Sequence, residues 1–285
     1  MSNRIAYIMQ AHKNVEQINL LIDKLIDENV DVYLHVDKKA VNIREKITQR
    51  DNLYILSLED SVNVQWGDIT QVQATLALLK EVFKVNKIYK FVYLISGQCF
   101  PIKTKEQRTL FFENADKHDC FVECYQSKVF DKRSDIKYNS FLLKNKFLSR
   151  VFKKLYIYLT GGKSHTFKIF KRTRPVEQFY HGSSWWCLPY GFAKIIFDKV
   201  SEENVWLEFF SKSVCPDESF FQTLLVKFCT NANICKLTTY VDWNEGQRNP
   251  KILTMDDEEK LIESECLFAR KFDMNIDSDI VKRFC

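Results

Sequence analysis

Phe91-Val92-Tyr93-Leu94-Ile95-Ser96-Gly97-Gln98 is the run whose reading decides the fold. Its first five side chains are apolar in succession, so a strand built from them needs cover on both faces, as in a parallel sheet between helices. The chain upstream alternates the two periods that such a sheet requires. Arg4 to Met9 reads as a strand, and Val15 to Asp27 carries Ile18, Leu21, Ile22, Leu25 and Ile26 at helical spacing. Val32-Tyr33-Leu34-His35-Val36 is a second strand ending at Asp37, and Leu53 to Leu58 is a third. Thr70 to Phe83 is a helix with Val72, Leu76, Leu79 and Phe83 on one stripe. This β–α–β rhythm predicts an α/β fold with a mostly parallel, Rossmann-type central sheet. Such sheets bind ligands beyond the carboxyl ends of their strands, where Asp37 and Ser96 stand.

Composition bounds the rest. The 285 residues are 46% apolar, enough to bury one large core, and only seven Gly and five Pro leave little room for linkers. The chain reads as a single domain over 1–285, with halves 1–125 and 126–285. The N-terminal apolar run, Ile5 to Met9, is too short for a signal-peptide core, and no stretch approaches the roughly 18 apolar residues of a membrane span. A cytoplasmic location is expected. Nine scattered cysteines form no CxxC pair or zinc set, so reduced thiols are expected and a metal site is not.

The net charge of +5 is local. Between 141 and 174 lie ten of the 42 basic residues and none of the 37 acidic ones, so the remaining 32 basic against 37 acidic residues sum to −5. Phe147, Leu148, Val151, Phe152, Leu155 and Leu159 repeat there at helical spacing among Lys and Arg. This predicts an amphipathic helix, either packed on the domain or lying against an anionic membrane surface. Nucleic acid is not expected as a partner, because no recognition motif accompanies the basic residues.

The second half holds the polar chemistry. Cys215-Pro216-Asp217-Glu218-Ser219-Phe220-Phe221 reads as a helix entrance: Pro suits the first position, the dipole favours first-turn carboxylates, and the helix continues to Phe228. Gly182-Ser183-Ser184-Trp185-Trp186 is a small-residue turn before two Trp that face opposite ways if extended. Tyr240-Val241-Asp242-Trp243 carries two aromatics, and Phe268-Ala269-Arg270-Lys271-Phe272 sets two cations between apolar anchors. There is no GxxxxGK[ST], GxGxxG, GxSxG or HExxH, which disfavours kinase, dehydrogenase, serine hydrolase and zinc protease chemistry. The single DxD, Asp277-Ser278-Asp279, follows no strand and reads as a loop or helix cap rather than a metal site.

Six segments together resemble one family. His35-Val36-Asp37-Lys38-Lys39, Trp66-Gly67, Leu94-Ile95-Ser96-Gly97-Gln98 with Phe100-Pro101-Ile102-Lys103, Gly182 to Trp186, Pro216-Asp217-Glu218 and Phe268 to Phe272 occur in the order of the core-2/I-branching β-1,6-N-acetylglucosaminyltransferases, which include peptide O-xylosyltransferases. The resemblance runs from Ile5 to about Phe272. It implies a GT-A-like fold and an inverting, metal-independent transfer from a UDP-sugar, with UDP-GlcNAc first among donors and UDP-xylose, UDP-glucose or UDP-galactose as alternatives. It also implies no bound cofactor and a glycan acceptor.

Roles carry over position by position. The resemblance makes Glu218 the general base. Lys271, with Arg248 or Lys251 upstream and Arg270 beside it, would neutralise the departing diphosphate. Asp37 would face the uridine, with His12 next to it. Trp185 or Trp186, Tyr240 and Trp243 are candidate sugar platforms, and Ser183 and Glu123 candidate acceptor contacts. Animal members carry an N-terminal membrane span and disulfides. Without those signatures this chain resembles a bacterial-type member that acts on polysaccharide or lipid-linked glycan precursors, with peripheral contact at the inner membrane face through 141–174 as a further expectation. A non-catalytic nucleotide- or glycan-binding protein is the competing class, which would not need an intact Glu218 and Lys271.

Overall fold

The computed structural model describes residues 3–126, 146–159, 174–243 and 249–285. Its centre is a seven-stranded sheet. Strands β1 (Ile5–Ala11), β2 (Val30–Val36), β3 (Leu53–Ile55) and β4 (Phe91–Ser96) pair in parallel in the order β3-β2-β1-β4. Beyond β4 comes β9 (Trp186–Pro189), antiparallel to both β4 and β6 (Asp119–Val122), and β10 (Asn233–Cys235) closes the edge parallel to β6. This is the mostly parallel central sheet of the α/β fold that the apolar run in β4 predicted.

The alternation of side chains along each strand divides the core between two faces. Tyr7 and Met9 of β1 and Phe91, Tyr93 and Ile95 of β4 pack with Ile18, Leu21, Ile22 and Leu25 of the helix Val15–Leu25. Ala6, Ile8, Val92 and Leu94 face the other way. They meet Val72, Leu78, Leu79 and Val82 of the helix Thr70–Lys84, the helix Tyr190–Glu202 and the helix Phe220–Phe228. Both faces are covered, which is why β4 carries no polar alternation.

Two small sheets extend this body. β5 (Cys99–Pro101) leaves the end of β4 and pairs antiparallel with β12 (Phe268–Arg270), which pairs parallel with β11 (Thr239–Val241). That register sets Arg270 opposite Cys99, three residues past the carboxyl end of β4. β7 (Tyr125–Gln126) and β8 (Tyr180–His181) form a two-stranded ladder just after β6. The expected basic helix spans Lys146–Leu159.

One helix differs from its sequence reading. Pro216–Glu218 is a separate 3-10 turn, and the α-helix begins only at Phe220. Ser219 interrupts them with φ −148°, and Cys215 precedes the turn in the left-handed region at φ 48°. Each break is anchored. The Cys215 N–H donates to the Gly67 carbonyl (3.1 Å), and the Ser219 hydroxyl donates to the Tyr180 carbonyl (2.5 Å). The two carboxylates therefore stand on a short platform ahead of the helix rather than in its first turn. All nine cysteines are free thiols, and among the described residues no helix is long and apolar enough to cross a membrane.

Candidate active site

Parallel strands deliver their following residues to one edge of the sheet, and β9, running the other way, delivers its preceding residues to the same edge. Asp37 follows β2; its backbone N–H donates to the Ala11 carbonyl (2.9 Å), which fastens the end of β2 to the end of β1. The Asp37 carboxylate is buried, accepts the Lys39 N–H at 2.9 Å and lies 3.6 Å from the Lys39 ammonium. His12, just after β1, has an exposed side chain. Its pKa is nevertheless lowered, first by the protein packed around the ring and then by the Lys13 charge, while Asp37 pulls it upward.

The C-terminal cations come to this edge on β12. Lys271 is half-buried, and burial, Arg270 and Lys13 in that order lower its pKa. Among the described residues its ammonium has no hydrogen-bond or ion-pair partner. Arg270 lies 4.5 Å above the Trp185 ring, its Nε is buried without a hydrogen-bond partner, and burial lowers its pKa too. Lys13 is held in place by Asp273 at 2.6 Å. Asp273 also accepts the Asn14 amide (2.5 Å) and the Asn275 N–H (3.1 Å), and although its own burial acts the other way, these donors hold its pKa down. Positive charge is thus concentrated where burial disfavours it, an arrangement that an anion entering from solvent would relieve.

The carboxylate turn meets this edge through the 182–185 loop. The Gly182 N–H donates to the Glu218 carbonyl at 2.9 Å, and the loop packs so tightly that a Cβ on Gly182 would lie 1.8 Å from the Glu123 carbonyl oxygen. Asp217 accepts the Ser184 hydroxyl at 2.6 Å and the Gln71 amide at 3.3 Å. The loop is fixed in turn by Gln222, whose amide donates to the Ser183 carbonyl at 2.6 Å, and by the Ser183 hydroxyl, which accepts the Trp185 N–H at 3.3 Å. A continuous path of contacts runs from Glu123 through Gly182 and the Asp217–Glu218 turn to Ser184, Trp185, Arg270 and Lys271. Its last neighbours are Lys13, His12 and Asp37. Glu218 is half-buried.

The sequence expectations divide accordingly. Glu218, Asp37, His12, Arg270, Lys271, Ser183, Trp185 and Glu123 share the edge. Trp186 does not: it sits in β9 between Leu94 and Val122, has no exposed surface and packs on Phe221 (5.1 Å between centroids), so it cannot stack on a sugar. Lys251 is also removed from the anion-binding set. Its ammonium is 2.5 Å from the buried Asp257 carboxylate, and that hydrogen bond raises its pKa. Arg248 lies outside the described residues. Tyr240 is half-buried on the outer strand β11, and burial followed by Asp242 and Asp257 raises its pKa. Trp243, two residues past β11, is exposed. Asp277 caps the helix Ser278–Arg283, accepting the Asp279 N–H (2.9 Å) and the Ile280 N–H (3.1 Å), as the DxD reading anticipated.

Sequence reasoning missed Lys13, Ser184, Gln71 and the close approach at Gly182. Lys13 adjoins the candidate residue His12, and its place shows only once Asp273, 260 residues away, is beside it. Among the described residues no cluster of three His, Cys, Asp or Glu side chains is disposed to hold a metal ion.

Residues 5–263 match the sequence profile of the core-2/I-branching enzymes. Over 98% of its length the chain is 23% identical to a xylosyltransferase of Ciona intestinalis, the match covering 33% of that protein. Over 85% of its length it is 24% identical to the xylosyltransferase oxt of Drosophila pseudoobscura pseudoobscura, covering 26% of that protein. The chain therefore spans about a third or less of the length of these relatives. Among solved structures, mouse xyloside xylosyltransferase 1 in its apo form aligns with a TM-score of 0.38 and 10% identity, over 94% of this chain and 97% of that one. That likeness is too slight to carry an argument.

Proposed function

Since this chain belongs to the core-2/I-branching enzyme family, we propose that it is an inverting glycosyltransferase that moves a sugar from a UDP-sugar onto a hydroxyl of a glycan acceptor. The observation that carries this reading is the contact path joining the Glu218 turn to the half-buried Arg270–Lys271 pair through Trp185. Glu218 takes the proton of the acceptor hydroxyl as that oxygen bonds to the anomeric carbon from one face. The bond from that carbon to the β-phosphate oxygen breaks on the opposite face, and its electron pair leaves with UDP. Lys271 and Arg270 meet the charge that grows on the diphosphate, the part that a divalent cation plays in metal-dependent transferases. No metal is needed in this scheme, because fixed cations already stand in a partly dry site, where each is worth more than in water. Asp37 takes the uridine side, and Trp185, Glu123 and Ser183 line the sugar and acceptor side. The 1–125 half then serves mainly the donor, and the later half serves the acceptor and the chemistry.

UDP-GlcNAc is the first donor. UDP-xylose is the second reading, favoured by the names of the relatives in Ciona and Drosophila. A screen for UDP release across UDP-GlcNAc, UDP-xylose, UDP-glucose and UDP-galactose, with EDTA present throughout, tests the whole scheme. One donor is expected to turn over undiminished, and Glu218→Gln is expected to lower kcat by about 10²–10⁴-fold, the usual contribution of a placed general base. Activity lost to EDTA would overturn the metal-free mechanism. Wild-type turnover in Glu218→Gln would overturn the base.

A further inference from the structure

The helix Lys146–Leu159 presents an apolar surface that the catalytic scheme does not use. At 3.6 residues per turn, Phe147, Leu148, Val151, Phe152, Leu155 and Tyr158 fall within an arc of about 140°. All six are exposed, up to 70% for Phe147 and 82% for Tyr158. Positions 146, 150 and 153, all basic, fall on the other arc, and the exposed Lys154 borders the apolar one. A core-facing helix would bury that arc. This one leaves aromatic and aliphatic side chains exposed on one arc of a helix whose sequence is basic on the other, the pattern of a helix lying in the plane of a membrane interface.

Charge selects the occupant. The 141–174 stretch contains no acidic residue, and the rest of the chain carries a net −5. A second copy of this helix would set cations against cations. An anionic bilayer attracts this face and repels the remainder, which fixes the orientation as well as the contact. The helix also belongs to the excursion of chain that leaves at β7 and returns at β8. The β7–β8 ladder adjoins Glu123 and Gly182, and Gly182 holds the Glu218 carbonyl.

We propose that Lys146–Leu159 docks this protein on an anionic lipid surface, with its apolar arc in the interface, so that the Glu218 side of the site meets an acceptor carried at that surface. The acceptor clause rests on the glycosyl-transfer reading; the docking clause does not.

Co-sedimentation with phosphatidylcholine vesicles, with and without phosphatidylglycerol, separates the two. The full chain is expected to pellet with the anionic vesicles at low salt and to be released by high salt. Val151→Asp with Leu155→Asp, and separately Lys153→Gln with Lys154→Gln, are each expected to weaken binding roughly tenfold or more. UDP release from the donor should stay unchanged in both, which also shows that the variants are folded. Absence of the wild-type protein from the pellet overturns the proposal. So does undiminished binding by the aspartate variant, or a wild-type dimer that this variant dissociates, because then a second copy covers the face. Vesicle binding without any UDP release would leave the docking intact and remove the enzymatic reading instead.

Discussion

Lys271 and Lys251 carry the same charge, twenty residues apart, and the structure gives them opposite surroundings. Lys251 is closed on Asp257, whose carboxylate also accepts the Thr254 N–H (3.0 Å) in the capping box of the turn Met255–Asp257. Lys251→Met would leave that carboxylate buried and uncompensated. The expected loss of stability is near the lower end of the ~3–5 kcal/mol for breaking a buried pair, because the lysine is partly solvated. The KM for donor should hold, and denaturant melts beside donor titrations will show the split. Lys271 has a folded pKa below the ordinary lysine value, so between the two the unfolded chain binds more protons and stability rises with pH across that window. Below it, the apo protein bears the cost of a crowded cation. UDP at about a hundredfold above its Kd is expected to stabilise the protein by ~2.7 kcal/mol, and Lys271→Met to erase most of that gain without lowering apo stability. A full UDP-induced Tm shift in Lys271→Met would separate the ammonium from the diphosphate. The family resemblance offered both lysines to the diphosphate, Lys251 as an alternative to Arg248, and nothing local in the sequence told them apart. What separates them is Asp257, which Lys251 meets only after folding, whereas Lys271 meets burial and other cations.

At the scale of elements, the sequence was most transparent where both faces of a strand are covered. β1, β2 and β4 are near-continuous apolar runs, and the ends at Asp37 and Ser96 fall within a residue of their expected places. The 216–218 turn was less legible, because Pro followed by two carboxylates is an equally good start for an α-helix. The break comes from Cys215 and Ser219 bonding to Gly67 and Tyr180, distant residues that no local pattern announces. His35 is a tie of the same kind. Its Nε2 accepts the Val62 N–H at 2.8 Å and so draws the 61–64 loop onto the end of β2. Burial lowers its pKa to about 4, against an upward pull from Asp37. Between about 4 and the ordinary 6.5 the unfolded chain binds the extra proton, so stability is full above 6.5 and is lost as pH falls toward 4. This one group accounts for roughly 3 kcal/mol of acid sensitivity. His35→Gln, which keeps an acceptor but does not titrate, is expected to flatten the stability–pH curve in that range. An unchanged slope would move the acid sensitivity elsewhere.

The whole molecule joins distant parts of the chain at one edge, and its cysteines report how firmly. Cys99, Cys120, Cys187 and Cys229 are buried, and burial pushes the Cys229 thiol up to about 11 and those of Cys120 and Cys187 higher still. Such thiols are poor nucleophiles. Titration of the native protein with a thiol reagent is expected to start at the exposed Cys285 and to spare these four until denaturant is added. Rapid modification of all nine would mean that the sheet opens readily. The α/β class was legible at this scale because it depends on period and composition, whereas the meeting of Glu123, Gly182 and Glu218 depends on which strand lies beside which. The β7–β8 ladder has a further consequence. The chain between Gln126 and Tyr180 departs and returns through a two-residue pairing, and closure entropy rises only slowly with the number of residues between paired ends, by ~0.6 kcal/mol per doubling. Evolution can therefore lengthen, shorten or exchange that excursion while the catalytic floor stays put. On the function proposed above, such a fold is a socket: one transfer reaction, refitted to new acceptors by replacing what is plugged in between two short strands.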